Sequence, residues 1–354
     1  MPDQPKDNFE LPPRRPSWLA RYPRKFKLAA TALLLFFVTV PPALIHNHVH
    51  SVAAIPATPQ INIDKIALAG GNVIQTNVNA PALNSQDDRS IKLTPAPDPR
   101  VTQDTAMGSL PRIGDNGEMP WRIYARPFDI ADRRPRVAIV ITGLGLLRVI
   151  TNEAIDDLPL AVTLAFDGQS STVGAWIARA RQDGHEVLLQ VPMEPFDYPY
   201  SDPGPGTLLT SLPNSNNLSR LLAVMRRASG YVGITTVSGS RFTTDPTKFA
   251  AVLQTLRQRG LMVFDARVAP HSVITDMARE AGVPVATMTR RLGDDLAPDA
   301  ITAALNDLEQ TAILQGRAVG IAAATPVMLE QIQKWAKGLP KRGVALAPIS
   351  AMVK

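Results

Sequence analysis

The sequence predicts an α/β fold: a distorted (β/α) barrel of seven or eight mainly parallel strands, preceded by one transmembrane helix and a disordered linker. Three observations carry this expectation. After Pro135 short apolar runs alternate with longer amphipathic segments, the pattern of strands covered on both faces by helices. Residues 28–45 read LAATALLLFFVTVPPALI, an apolar run without a charge. Between these two regions the chain is rich in Pro, Ala, Asn, Thr and Gln with no sustained period, and more than half of the 32 prolines lie ahead of Arg136.

The N-terminal elements follow from charge and length. Residues 1–27 hold Lys6, Arg14, Arg15, Arg21, Arg24, Lys25 and Lys27 against Asp3, Asp7 and Glu10, a basic tail. At ~1.5 Å per residue the run 28–45 spans roughly 27 Å, enough for a bilayer core. The basic residues lie before the span, so the positive-inside rule places the tail in the cytoplasm and the rest outside. The expectation is a single-pass inner-membrane protein with a periplasmic C-terminal domain. A cleaved signal peptide ending near Ser51-Val52-Ala53 is the alternative. Residues 46–119 read as linker, its His46, His48 and His50 as a solvated stretch, and 120–354 as the folded domain. Trp121, Tyr124 and Phe128 are expected to dock on that domain.

The whole chain of 354 residues carries a net charge of +6 with 5% aromatics. Much of the excess sits in the basic tail, and no basic stripe follows, which argues against nucleic acid as a partner. The cysteine count of 0 excludes disulfides, thiolate metal sites and cysteine nucleophiles.

Within the domain, strands are expected over 137–141, 161–166, 186–191, 231–235, 262–265, 285–287, 318–322 and 344–347. Helices are expected over 171–181, from Asp245-Pro246 onward, and over 272–281, 298–315 and 326–337. Asp245 reads as an N-cap with proline in the first turn. A doubly wound sheet is the alternative arrangement. The connection 192–214, PMEPFDYPYSDPGPGTLLTSLPN, is too long for an ordinary loop. It follows a strand, which in a barrel places it on the face where active sites are built.

Common cofactor and catalytic motifs fail on specific residues. Gly143-Leu144-Gly145 lacks the third glycine of a dinucleotide loop, because that position is Arg148. Around Ser238 the glycines of a nucleophile elbow are replaced by Thr236 and Ser240. No HExxH or Walker-type loop occurs, so no cofactor is expected. His185, ahead of a strand, reads as a turn residue.

The segments VAIVITGLG at 137–145, GHEVLLQVPMEP at 184–195 and DPGPGTLL at 202–209 resemble the divergent polysaccharide deacetylase family. Gly239-Ser240-Arg241-Phe242-Thr243 and Asp265-Ala266-Arg267 extend the resemblance, which covers about residues 120–352. It implies a barrel of the glycoside hydrolase/deacetylase type and a part in cell-envelope carbohydrate metabolism. In the wider superfamily an acidic pair after the first strand and two histidines hold a metal that polarises an acetyl carbonyl. Here the acidic pair reads Thr142-Gly143, the histidine before Gly-Ser reads Val237, and the late Gly-His-Pro reads Ala322-Ala323-Ala324. The resemblance therefore implies no metal ligand at these places and a glycan-binding protein that has lost metal-dependent deacetylation.

The polar residues left at the expected mouth are the candidate site. Asp265 and Glu194 follow the fifth and third strands and form a candidate carboxylate pair for glycoside hydrolysis. Arg241, Arg267, Ser240, His271 and Tyr198 are candidate contacts for an envelope polysaccharide. In the competing reading Asp265 and Arg267 form a structural ion pair and Glu194 holds the proline-rich loop. An active hydrolase or deacetylase working through the remaining carboxylates is the functional alternative.

Overall fold

The first apolar run after Pro135 becomes the middle of the sheet. The computed structural model describes residues 91–236 and 238–353. The basic tail, the run 28–45 and most of the linker lie outside the described residues, as does Val237. Among the described residues no helix is long and apolar enough to cross a membrane.

The chain enters through a two-stranded antiparallel hairpin, β1 (Thr102–Thr105) and β2 (Gly108–Pro111), and a single helical turn, α1 (Pro120–Ile123). There follow β3 (Arg136–Leu144), α2 (Arg148–Asp157), β4 (Thr163–Asp167), α3 (Val173–Asp183) and β5 (Val187–Gln190). After the long connection come α4 (Asn214–Met225), β6 (Gly233–Thr235), α5 (Pro246–Gln258), β7 (Met262–Asp265), α6 (Ile274–Glu280) and β8 (Val285–Thr287). The chain ends with β9 (Arg290–Arg291), α7 (Pro298–Gln315), β10 (Arg317–Ala323), α8 (Pro326–Gly338) and β11 (Ala345–Leu346). Each of the eight expected strands is present within a few residues of its predicted bounds. Asp245 caps α5 as its sequence context requires, accepting from Lys248 N at 3.0 Å.

The sheet runs β8-β7-β6-β5-β4-β3-β10-β9, with β11 beside β3, and every pairing is parallel. Only Met288 and Thr289 separate the two ends of that order. Met288 N donates to Asp265 O on β7, whereas Thr289 N and Leu292 N donate to Val319 O and Ile321 O on β10. One bent stretch, 285–292, thus serves both ends and curls the sheet into a distorted β/α barrel.

Alternation along the strands assigns the two faces. Val137, Ile139 and Ile141 of β3 join Leu164 and Phe166 of β4 in the layer packed by Ile155, Ile177, Leu221 and Phe249 of the helices. Ala138 and Val140 point the other way, with Ala165, Leu188, Phe264, Val319 and Ile321 in the inner cluster. Both faces are therefore apolar, which is why the strands read as near-continuous hydrophobic runs.

The inner cluster is completed by Val101 and Tyr124 from the N-terminal segment and by Ile349 and Met352 from the C-terminal 3-10 turn. The Tyr124 hydroxyl accepts from Asp98 N at 2.9 Å, and the Arg181 guanidinium lies 5.0 Å from its ring. Part of the stretch expected to be linker, from about residue 98, is thus built into the fold. It buries single residues such as Val101 and Leu110 instead of a whole face, so it carries no hydrophobic period to read. His185 is a turn residue as expected, its ring nitrogens 3.0 Å from the Ile155 and Val162 carbonyls.

Candidate functional site

The C-terminal ends of the strands gather the residues singled out from the sequence into two groups. The first is a clamp between the 192–214 connection and the loop after β6. Glu194 is buried, and its Oε2 accepts from Thr210 N at 2.5 Å and Thr210 Oγ1 at 2.7 Å. Its Oε1 lies 3.4 Å from Arg241 Nε. Arg241 also donates through Nη2 to Phe196 O at 2.7 Å and lies over the Phe196 ring. Ser240 Oγ accepts from Phe196 N at 2.9 Å.

Gly239 makes the clamp possible. It has φ +102, and a Cβ there would sit 2.6 Å from Met193 Cβ, so only glycine allows the two loops this approach. The Gly-Ser-Arg-Phe-Thr motif that carries part of the resemblance therefore holds a loop at the mouth. Tyr198 lies half-buried in the same connection, while Phe196 and Tyr200 are exposed there.

The second group surrounds Asp265 at the end of β7. Its carboxylate is 1% exposed and accepts from Arg267 N at 2.9 Å, Ser272 Oγ at 3.1 Å and Thr275 Oγ1 at 2.6 Å. Arg267 is thus tied to Asp265 through its backbone N–H, and both residues line a cavity of about 500 Å³. His271 is exposed on the loop between β7 and α6. Glu194 and Asp265 share no hydrogen-bond partner: Glu194 lies in the connection after β5, Asp265 ends β7, and β6 runs between those two strands.

On the β4 side of the clamp, Gln190 at the end of β5 reaches past β4 and accepts from Gly143 N at 2.7 Å through Oε1. Gly143 has φ +79 with open space where a Cβ would stand, so conformation and not crowding favours glycine there.

The family resemblance implies a metal, and the residues in the described positions do not fit one. Thr142 and Ala323 are register partners on β3 and β10, so the two altered positions stand side by side. The Thr142 hydroxyl donates to Ala322 O at 3.0 Å, and the Thr142 carbonyl accepts from Ala324 N at 3.0 Å. Gly143 and the three alanines have no ligating side chain. Among the described residues no three His, Cys, Asp or Glu side chains group as a metal set. Zinc needs three or four N, O or S ligands.

Residues that sequence reading did not reach include Thr289, Arg279 and Arg317, which line the cavity beside Asp265. Thr289 lies in the 288–289 bend, Arg279 on α6 and Arg317 on β10, so the bend brings them together.

Comparison with known proteins agrees with this geometry. A family model described as divergent polysaccharide deacetylase matches residues 139–353. The uncharacterized protein YibQ of Escherichia coli (strain K12) is 24% identical over 206 residues, 58% of this chain. The chain spans 63% of the length of that curated relative. The crystal structure of an uncharacterized protein from Agrobacterium tumefaciens C58 is 36% identical, with a TM-score of 0.68. That match covers 70% of this chain and 100% of the other. The match over most of the barrel, from β3 to the C-terminal turn, shows that this chain belongs to the divergent polysaccharide deacetylase family.

Proposed function

We propose that this protein is a membrane-anchored, envelope-facing member of the family that binds a polysaccharide without metal-dependent deacetylation. The observation that carries the reading is the pairing of Thr142 with Ala323 where the wider superfamily's ligands are expected. A hydroxyl bonded within the sheet and a methyl group offer a metal neither charge nor a set of lone pairs. What supports binding is family membership together with the polar cavity beside Asp265 and Arg267. Arg241, Ser240 and Tyr198 shape the rim through the proline-rich connection, and Asp265 and Glu194 hold the two loops in place. Anchoring rests on the sequence, through the charge-free run 28–45 behind its basic tail. On this reading the domain faces the periplasm, tethered to the inner membrane through the linker.

Acetate release and binding, measured on the same acetylated oligosaccharides with the full-length chain, test the proposal. The expected result is binding without acetate release above the blank, with or without added zinc. Zinc-dependent acetate release contradicts the loss of metal chemistry. Failure to bind any oligosaccharide, neutral or acidic, contradicts the binding role.

A further inference from the structure

The curled sheet has a gap at its seam. β10 pairs β9 only at Gly320 and Ile321, so Arg317 and Ala318 have no strand partner on that side. On that side Val319 is held by Thr289, through Thr289 N to Val319 O at 2.8 Å and Val319 N to Thr289 Oγ1 at 3.0 Å. The cavity of about 500 Å³ lies here, between α6, β8 and the start of β10. Its size falls in the range of small-ligand sites.

Its lining offers donors in excess of acceptors. Of its two carboxylates, Asp265 already accepts from three donors, and Asp276 lies 3.6 Å from Arg279. The guanidinium groups of Arg267 and Arg317 have no ion-pair or hydrogen-bond partner among the described residues. Thr289 Oγ1 accepts from Val319 N and keeps its own proton to give. Arg267 also holds the one positive φ outside glycine among the described residues, 44°, with its N–H fixed on Asp265. Strain of this kind persists where the surroundings impose it, and it often marks a ligand site. The Asp265 carboxylate thus holds the backbone from which the Arg267 side chain leaves.

We propose that the seam cavity binds the anionic group of an acidic saccharide, a carboxylate or phosphate carried on a sugar, through Arg267, Arg317 and the Thr289 hydroxyl. A guanidinium fork matches either anion with two parallel hydrogen bonds. A neutral sugar leaves both positive charges uncompensated. The proposal rests on the polysaccharide-binding reading above and adds the charge of the ligand to it.

Calorimetric titration of the full-length chain with three probes tests it: an oligogalacturonate, N-acetylglucosamine 6-phosphate, and a neutral chito-oligosaccharide matched in length to the first. The expected result is that one of the acidic probes binds at least about tenfold more tightly than the neutral one. Which acidic probe does so identifies carboxylate or phosphate as the natural group. That affinity should fall about tenfold in Arg317→Gln and in Arg267→Gln, and should weaken with added salt. Thermal melts of both variants establish that they are folded, and Arg317→Gln stands alone if Arg267→Gln is not. Equal affinity for neutral and acidic probes, or an unchanged affinity in Arg317→Gln, overturns the anionic site and leaves polysaccharide binding in place. Binding of no probe overturns both.

Discussion

Replacing Glu186 by alanine should lower the stability of the domain by about 3–5 kcal/mol, because it leaves three buried donors without an acceptor at about 1–3 kcal/mol each. Glu186 is fully buried at the N-terminal end of the barrel, one residue ahead of β5. Its Oε1 accepts from Ser350 N at 2.9 Å, and its Oε2 accepts from Ser350 Oγ at 2.5 Å and Arg126 N at 2.9 Å. One carboxyl group thus fastens the C-terminal turn and the N-terminal segment to the sheet. Nearby, Arg181 donates to Tyr124 O at 2.8 Å and Thr94 O at 2.7 Å, and burial pushes its guanidinium down to about 10.

Burial raises the Glu186 carboxyl above its ordinary value, with the Ser350 and Arg126 donors acting in the opposite direction. A carboxyl raised in the folded state contributes stability that is fully present below the unfolded value near 4.5. That contribution is lost as pH rises through the folded value. The wild type should therefore lose stability relative to Glu186→Gln as pH rises from the acid side toward neutrality. Urea unfolding of the wild type, Glu186→Ala and Glu186→Gln across that range measures both effects. A loss under about 1 kcal/mol in the alanine variant, or the opposite pH slope, contradicts the assignment.

Asp265→Ala has the second largest expected effect, a loss of about 2–4 kcal/mol, because it leaves buried donors without an acceptor. Three donors lose their partner, and the Arg267 backbone at φ 44° loses the bond that holds it. Asp265→Asn should recover about half of the loss. Its carbonyl oxygen still accepts from Arg267 N and Ser272 Oγ, while Thr275 can turn its hydroxyl toward Thr287, 2.8 Å away. Denaturant unfolding of both variants reads this order. An alanine variant as stable as the wild type removes Asp265 from the framework of the seam.

The barrel was legible from the sequence because its central strands are apolar on both faces. Runs such as 137–141 and 318–322 are buried between the outer and inner apolar clusters. Elements whose formation depends on partners far along the chain were not legible. β9 is two exposed arginines, a strand only because Gly320 and Ile321 lie beside it. α2 and α4 begin with β-branched residues or a run of Asn and Ser, poor helix formers whose order comes from packing Ile155 and Leu221 on the sheet. The hairpin at 102–111 was hidden for the same reason.

The candidate site divides along similar lines. Glu194 and Arg241 are 47 positions apart, and their loops place them in one clamp. Asp265 and Arg267 were a pair on the page of the sequence, but the bond between them uses the backbone N–H, which no side-chain pattern reveals. Arg317 and Thr289 belong to the seam alone. The absent metal ligands at Thr142 and Ala323 were readable directly, since residue type decides what an atom can ligate.

Metal content is the most direct measure of whether this barrel has lost its metal chemistry. The full-length chain, purified, loaded with zinc and dialysed against a mild chelator, should retain far less than one equivalent by elemental analysis. One equivalent retained, and lost in Asp265→Ala, Glu194→Ala or His271→Ala variants that stay folded, would contradict the account and name the ligands.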